Sequence, residues 1–114
     1  MKLNANVPAE KVLTACTRFL EKHGYEEVQE VENPVIDLLA FDEDGTAVLC
    51  ALGASEDDLE EEEYSRREME DAMAELLVAG LIDVDTTLRF DVITLRVFGD
   101  KALLKHHINA LGAA

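Results

Sequence analysis

The feature that most restricts the fold is a pair of apolar runs joined by a short turn. Val35 to Phe41 is apolar except for Asp37, and Thr46 to Leu52 carries no charge at all. Between them lies Asp42-Glu43-Asp44-Gly45, where glycine supplies the positive φ that a tight turn needs. Hydrophobicity that is continuous rather than alternating marks strands covered on both sides. The two runs therefore predict a central hairpin buried on both faces.

The flanking segments predict an α/β chain in the order α-β-β-β-α-β-β. A first helix spans about Pro8 to His23. Ala9, Val12, Leu13, Cys16, Phe19 and Leu20 recur at helical spacing. Proline suits its first turn and Gly24 its end. Tyr25 to Val31 predicts an edge strand, broken by Asn33-Pro34. Gly53 to Glu63 predicts a loop, and a second helix is expected over about Glu60 to Leu81, packing through Met69, Ala72, Met73, Leu76, Leu77 and Gly80. Leu88 to Val97 and Ala102 to Ile108 predict two final strands around the turn Phe98-Gly99-Asp100. At 114 residues, 1–114 is expected to be a single domain without internal repeats.

Charge narrows the partners. The net charge of −15 opposes binding to phosphate backbones and to anionic membranes, both of which need Lys and Arg. Seven of the eight residues from Glu56 to Glu63 are acidic: Glu56, Asp57, Asp58, Glu60, Glu61, Glu62 and Glu63. This acidic loop, 53–63, is either a solvated segment or a surface for a basic partner. Cys16 and Cys50 sit in apolar patterns and predict two buried, reduced thiols, which together with the missing signal sequence points to a cytoplasmic protein. No Cys/His spacing suits zinc, and no nucleophile elbow or phosphate loop is present.

Four segments carry a resemblance to a known family: Phe19-Leu20-Glu21-Lys22-His23-Gly24-Tyr25, Ile36-Asp37-Leu38-Leu39-Ala40, Arg89-Phe90-Asp91-Val92, and His106-His107-Ile108-Asn109-Ala110-Leu111. In this order they resemble the YraN family of bacterial endonuclease-like proteins, over nearly the whole chain. The resemblance implies a restriction-endonuclease-like core, of the PD-(D/E)xK type, with a mixed central sheet flanked by helices. In such nucleases a strand aspartate and the glutamate of an E-x-K motif on the next strand hold a divalent metal. That metal polarises phosphate and activates water, and the lysine stabilises developing charge.

By this resemblance Asp37 stands at the metal aspartate. The position before it in the motif reads Val35, and E-x-K reads Cys50-Ala51-Leu52. The early helix glutamate reads Leu13, with Glu10 nearby. No lysine lies between Lys22 and Lys101, so shifting the alignment does not restore the base. A lone aspartate does not make a carboxylate-rich magnesium site. The expected function is a catalytically inactive nuclease-like domain that binds a macromolecule, most simply a protein, with no cofactor.

Two alternatives stay open. One is a divergent Mg2+- or Mn2+-dependent endonuclease or nucleic-acid binder, with residues relocated to Arg66, Arg67 or Glu68. The other is an acidic nucleic-acid mimic that blocks a basic enzyme. A homodimer through the strand at 25–31 or through the last strand is compatible with each reading. Arg89 and Asp91, two apart on a strand, are expected to form a structural ion pair. His106 and His107 should point to opposite faces, one partly packed and one exposed.

Overall fold

The structure is a computed structural model that describes residues 1–3, 7–56 and 64–110. In chain order the elements are β1 (Lys2–Leu3), α1 (Ala9–Lys22), β2 (Glu26–Glu30), β3 (Leu38–Phe41), β4 (Ala47–Ser55), α2 (Arg66–Val78), β5 (Leu88–Phe98) and β6 (Lys101–His107). One six-stranded mixed sheet runs β2-β3-β4-β5-β6, with β1 joined to β4. The β2/β3, β3/β4 and β5/β6 ladders are antiparallel; β4/β5 and β1/β4 are parallel.

Every residue of β4 is buried, because each side of the strand meets a different helix. Val48, Cys50, Leu52 and Ala54 pack with Val12, Cys16 and Leu20 of α1. Ala47, Leu49 and Ala51 pack with Met69, Ala72 and Leu76 of α2. The strand's period of two thus divides the core into two layers, one on each face. The three α1 residues are spaced four apart, one helical stripe on an otherwise polar helix. None of the helices is long and apolar enough to cross a membrane, among the described residues.

Local chemistry sets the boundaries. Asp42 Oδ1 accepts from the N–H groups of Asp44 and Thr46 at 2.9 Å each, and Gly45 has φ of 81°, which closes the expected β3–β4 turn. Gly24, at φ 89°, ends α1 as expected.

Several features differ from the sequence reading. β3 begins at Leu38, not Val35, because the Asn33 side chain accepts from Val35 N–H and Ile36 N–H at 3.0 Å and donates to Ala72 O at 3.1 Å. These bonds fold 33–36 as a turn against α2. Helix α2 begins at Arg66, capped by Ser65, whose Oγ accepts from Glu68 N–H at 3.1 Å; the expected start at Glu60 lies outside the described residues. Gly53, Ala54 and Ser55 belong to β4 rather than to a loop, held by β5 on one edge. β1 is an additional strand; it pairs Lys2 with Gly53 and Leu3 with Ala54.

These contacts separate two helical positions sharply. Leu20 is fully buried, whereas Val78 is 91% exposed. Leu20→Ala should cost about 2–5 kcal/mol in urea unfolding, and Val78→Ala should stay within about 0.5 kcal/mol of the parent.

Candidate functional site

Asp37 precedes β3, at the point where β3 stops and β1 has yet to begin along the same edge of β4. Its backbone N–H donates to Cys50 O at 2.8 Å. Its Oδ2 accepts from Leu52 N–H at 2.8 Å. Two residues further along β4, Ala54 is opposite Leu3 of β1. The carboxylate therefore continues the ladder across the interval between two strands. Oδ1 pairs with the Met1 ammonium at 2.9 Å, and both groups are nearly buried, at 12% and 11% exposure. An interruption of an apolar run by an acid is costly unless the acid has partners. Here one oxygen meets a main-chain donor and the other meets a cation.

Of the other expected motif positions, Cys50 and Leu52 meet Asp37 through their backbone groups, while their side chains and that of Val35 pack into the core. Cys50 and Leu52 are fully buried in the layer beneath α1. Val35 packs on the opposite layer, against the α2 side. The three do not form one apolar wall around Asp37, because the turn at Asn33 carries Val35 across the sheet. Burial pushes the Cys16 thiol up to about 12, with the Asp37 charge adding to the effect. Burial raises the Cys50 thiol too, helped by the charge of Asp91. Both thiols are free and buried, and the raised values disfavour the thiolate form that a nucleophile needs.

Leu13 packs partly buried against the α1-side core, and Glu10 is exposed on the outer face of α1. Arg66, Arg67 and Glu68 are exposed in the first turn of α2. Of the acidic candidates, Glu56 is exposed where β4 ends. Asp57, Asp58, Glu60, Glu61, Glu62 and Glu63 lie outside the described residues. Among the described residues, no group of three or more His, Cys, Asp or Glu side chains is placed to share a metal ion.

A second polar centre lies further along the α1 face of the sheet. Asp91 is fully buried and takes four hydrogen bonds. Its Oδ1 accepts from Arg89 Nε and Asn109 N–H, both at 2.9 Å. Its Oδ2 accepts from Arg89 Nη2 at 2.8 Å and meets His106 Nε2 at 2.7 Å. An ionised carboxylate can only accept, so Nε2 carries the proton in this contact. Arg89 Nη2 also donates to the Tyr25 hydroxyl at 2.7 Å, and Nη1 lies 3.7 Å from Asp42 Oδ2. Burial by itself would raise the Asp91 carboxyl, but the hydrogen bonds from His106, Arg89 and Asn109 hold it below the usual carboxylate range. The expected Arg89–Asp91 pair is thus one part of a cluster that joins β5, β6 and the end of α1.

Paired Asp and His side chains serve general acid–base chemistry when the imidazole also faces a substrate. The His106 ring instead stands edge-on to Phe19 and Tyr25, at 5.6 and 6.1 Å between centroids. All four lone-pair directions of Asp91 are taken, and the arrangement serves to clamp Asn109 and the residues after β6 onto β5. His106 and His107 are adjacent on β6 and both are partly buried rather than one packed and one exposed; His106 is covered by Phe19, Tyr25 and Asp91.

No family model and no curated protein matches this sequence.

Two substitutions probe the two carboxylates. Asp37→Ala leaves the buried Leu52 N–H without an acceptor and should cost about 1–3 kcal/mol. Asp37→Asn retains an acceptor oxygen and should lose less, which parallel urea titrations would show. Asp91→Asn removes one partner of a buried ion pair and should cost about 3 kcal/mol at neutral pH. The folded carboxyl of Asp91 is shifted down, so its contribution is present above the unfolded value of roughly 3.9 and is lost as pH falls through the lower folded value. The stability gap between parent and Asp91→Asn should therefore narrow below about pH 4.

Proposed function

We propose that this chain is a nuclease-type scaffold that works by binding rather than by cutting, and that its partner is a basic protein. The arrangement α1-β2-β3-β4-α2-β5, with two antiparallel ladders followed by one parallel ladder, supports the restriction-endonuclease-like reading and the resemblance to the YraN family. The observation that carries the non-catalytic reading is the commitment of Asp37. Its carboxylate is held by Leu52 N–H and the Met1 ammonium, and the side chains at the E-x-K positions are buried under α1. A divalent ion there would have to displace both partners, and among the described residues no group of three or more His, Cys, Asp or Glu side chains is placed to share it.

The charge supports the choice of partner. With 25 acidic and 10 basic residues, the surface attracts a cationic protein and repels a nucleic-acid backbone. The acidic run starting at Glu56 is the first place to look for that contact.

The test has two arms. Purified protein is incubated with Mg2+ or Mn2+ and with duplex, single-stranded and branched DNA. The expected result is no cleavage beyond that of Asp37→Ala; metal-dependent cleavage that Asp37→Ala abolishes would overturn the reading. In the second arm the immobilised chain should retain a basic protein that elutes with salt. A variant with the seven acids of 56–63 replaced by their amides should retain less of it.

A further inference from the structure

The sheet has two outer edges, and they carry opposite charge. β6 ends the sheet on one side, with β5 as its neighbour, and pairs in unbroken register from Lys101↔Phe98 to His107↔Val92. Lys101, Leu103 and Lys105 alternate onto one face and are exposed, Leu103 by 61%. The strand Lys101–His107 contains no acid. β2 ends the sheet on the other side, with β3 as its neighbour. It reads Glu26-Glu27-Val28-Gln29-Glu30, contains no base, and exposes all but Val28.

From this we infer that copies of this chain associate head to tail, with the acidic β2 edge of one copy lying beside the basic β6 edge of the next. The alternatives within the same chain fail on charge. Two β2 edges would set glutamate against glutamate, and two β6 edges would bring together strands that both carry lysines. Like charges across a strand pair are destabilising, whereas opposite charges and apolar pairs are favourable. β6 carries the exposed Lys101 and Lys105, and β2 carries the exposed Glu26, Glu27 and Glu30, so lysines would meet glutamates along the shared edge.

The net charge of −15 opposes any self-association, but over a longer range. At physiological salt the Debye length is about 8 Å, so repulsion between whole molecules is screened while charges on strands roughly 4.8 Å apart still attract. The register shift in β2, where Glu27 has φ of 52°, limits the shared ladder to a few residues and keeps the contact reversible. Because the two surfaces differ, the contact is heterologous and builds a closed ring or an open fibre rather than a two-fold dimer.

Sedimentation velocity over a range of concentrations at physiological salt tests this. The parent chain should gain mass as concentration rises. Lys101→Glu/Lys105→Glu and Glu26→Lys/Glu30→Lys should each weaken association by about tenfold or more, since paired attractions become repulsions. An equimolar mixture of the two variants restores both complementary pairings and should recover the parental mass distribution. The neutral Lys101→Gln/Lys105→Gln chain should show a smaller loss, and it stands in for the reversed variant if that variant fails to fold by circular dichroism. A parent that stays monomeric at every concentration overturns the inference. So does a lysine variant that associates like the parent, or a mixture of variants that does not associate.

Discussion

A strand enclosed on both faces and both edges cannot leave a main-chain donor unpaired, and β4 is such a strand. Its nine residues are all buried. One edge is served throughout by β5. The other is served in three pieces: β3 as far as Cys50, the Asp37 carboxylate at Leu52, and β1 at Gly53 and Ala54. Removing any piece exposes a buried N–H or C=O, which costs about as much as a lost hydrogen bond. Asp37 is therefore explained by the sheet, without appeal to a bound ion. The Met1 ammonium then satisfies the remaining oxygen and draws the start of the chain into the same edge.

The same economy governs the interior elsewhere. The core divides into two apolar layers, and the polar groups inside it are concentrated in the Asp91 cluster rather than scattered. Among the described residues, no buried side-chain nitrogen or oxygen lacks a hydrogen-bond partner. Asp91 is the convergence point: β5 supplies Arg89, β6 supplies His106, and the turn after β6 supplies Asn109 N–H. Arg89 carries the link onward to Tyr25 at the end of α1 and to Asp42 in the β3–β4 turn. A buried ion pair adds little net stability over an apolar one but fixes geometry, because each partner is costly when unpaired. That geometry ties the far edge of the sheet to its middle.

Much of this was legible in the residues, and the gaps have physical reasons. The hairpin around Asp42 and Gly45, the stripe on α1 and the two final strands follow from periodicity and turn chemistry. Arg89 and Asp91 share a face by their spacing alone. His106 joins them through the register of β6 on β5, which spacing within one strand does not reveal. The run of acids ahead of residue 64 resembles a favourable first helical turn, whereas Ser65 with Glu68 three residues on is the capping signal where α2 begins in the structure. Asp37 stood out as an anomaly in an apolar run. Its role depended on β1, and a two-residue strand has no pattern to read. The β3 boundary moved because Asn33 offers its side chain to the backbone at 35 and 36, a local competition that hydrophobicity does not register.

The Asp37 carboxylate belongs to the edge of β4. Paramagnetic broadening of amide NMR signals by Mn2+ tests that most directly, because a bound ion broadens the amides nearest to it first. If Asp37 is committed to Leu52 N–H and the ammonium, the Leu52 and Gly53 amides should broaden no more than those of other buried β4 residues as Mn2+ is added. Saturable broadening centred on Leu52, lost in Asp37→Asn, would show an ion held by that carboxylate and would contradict the account.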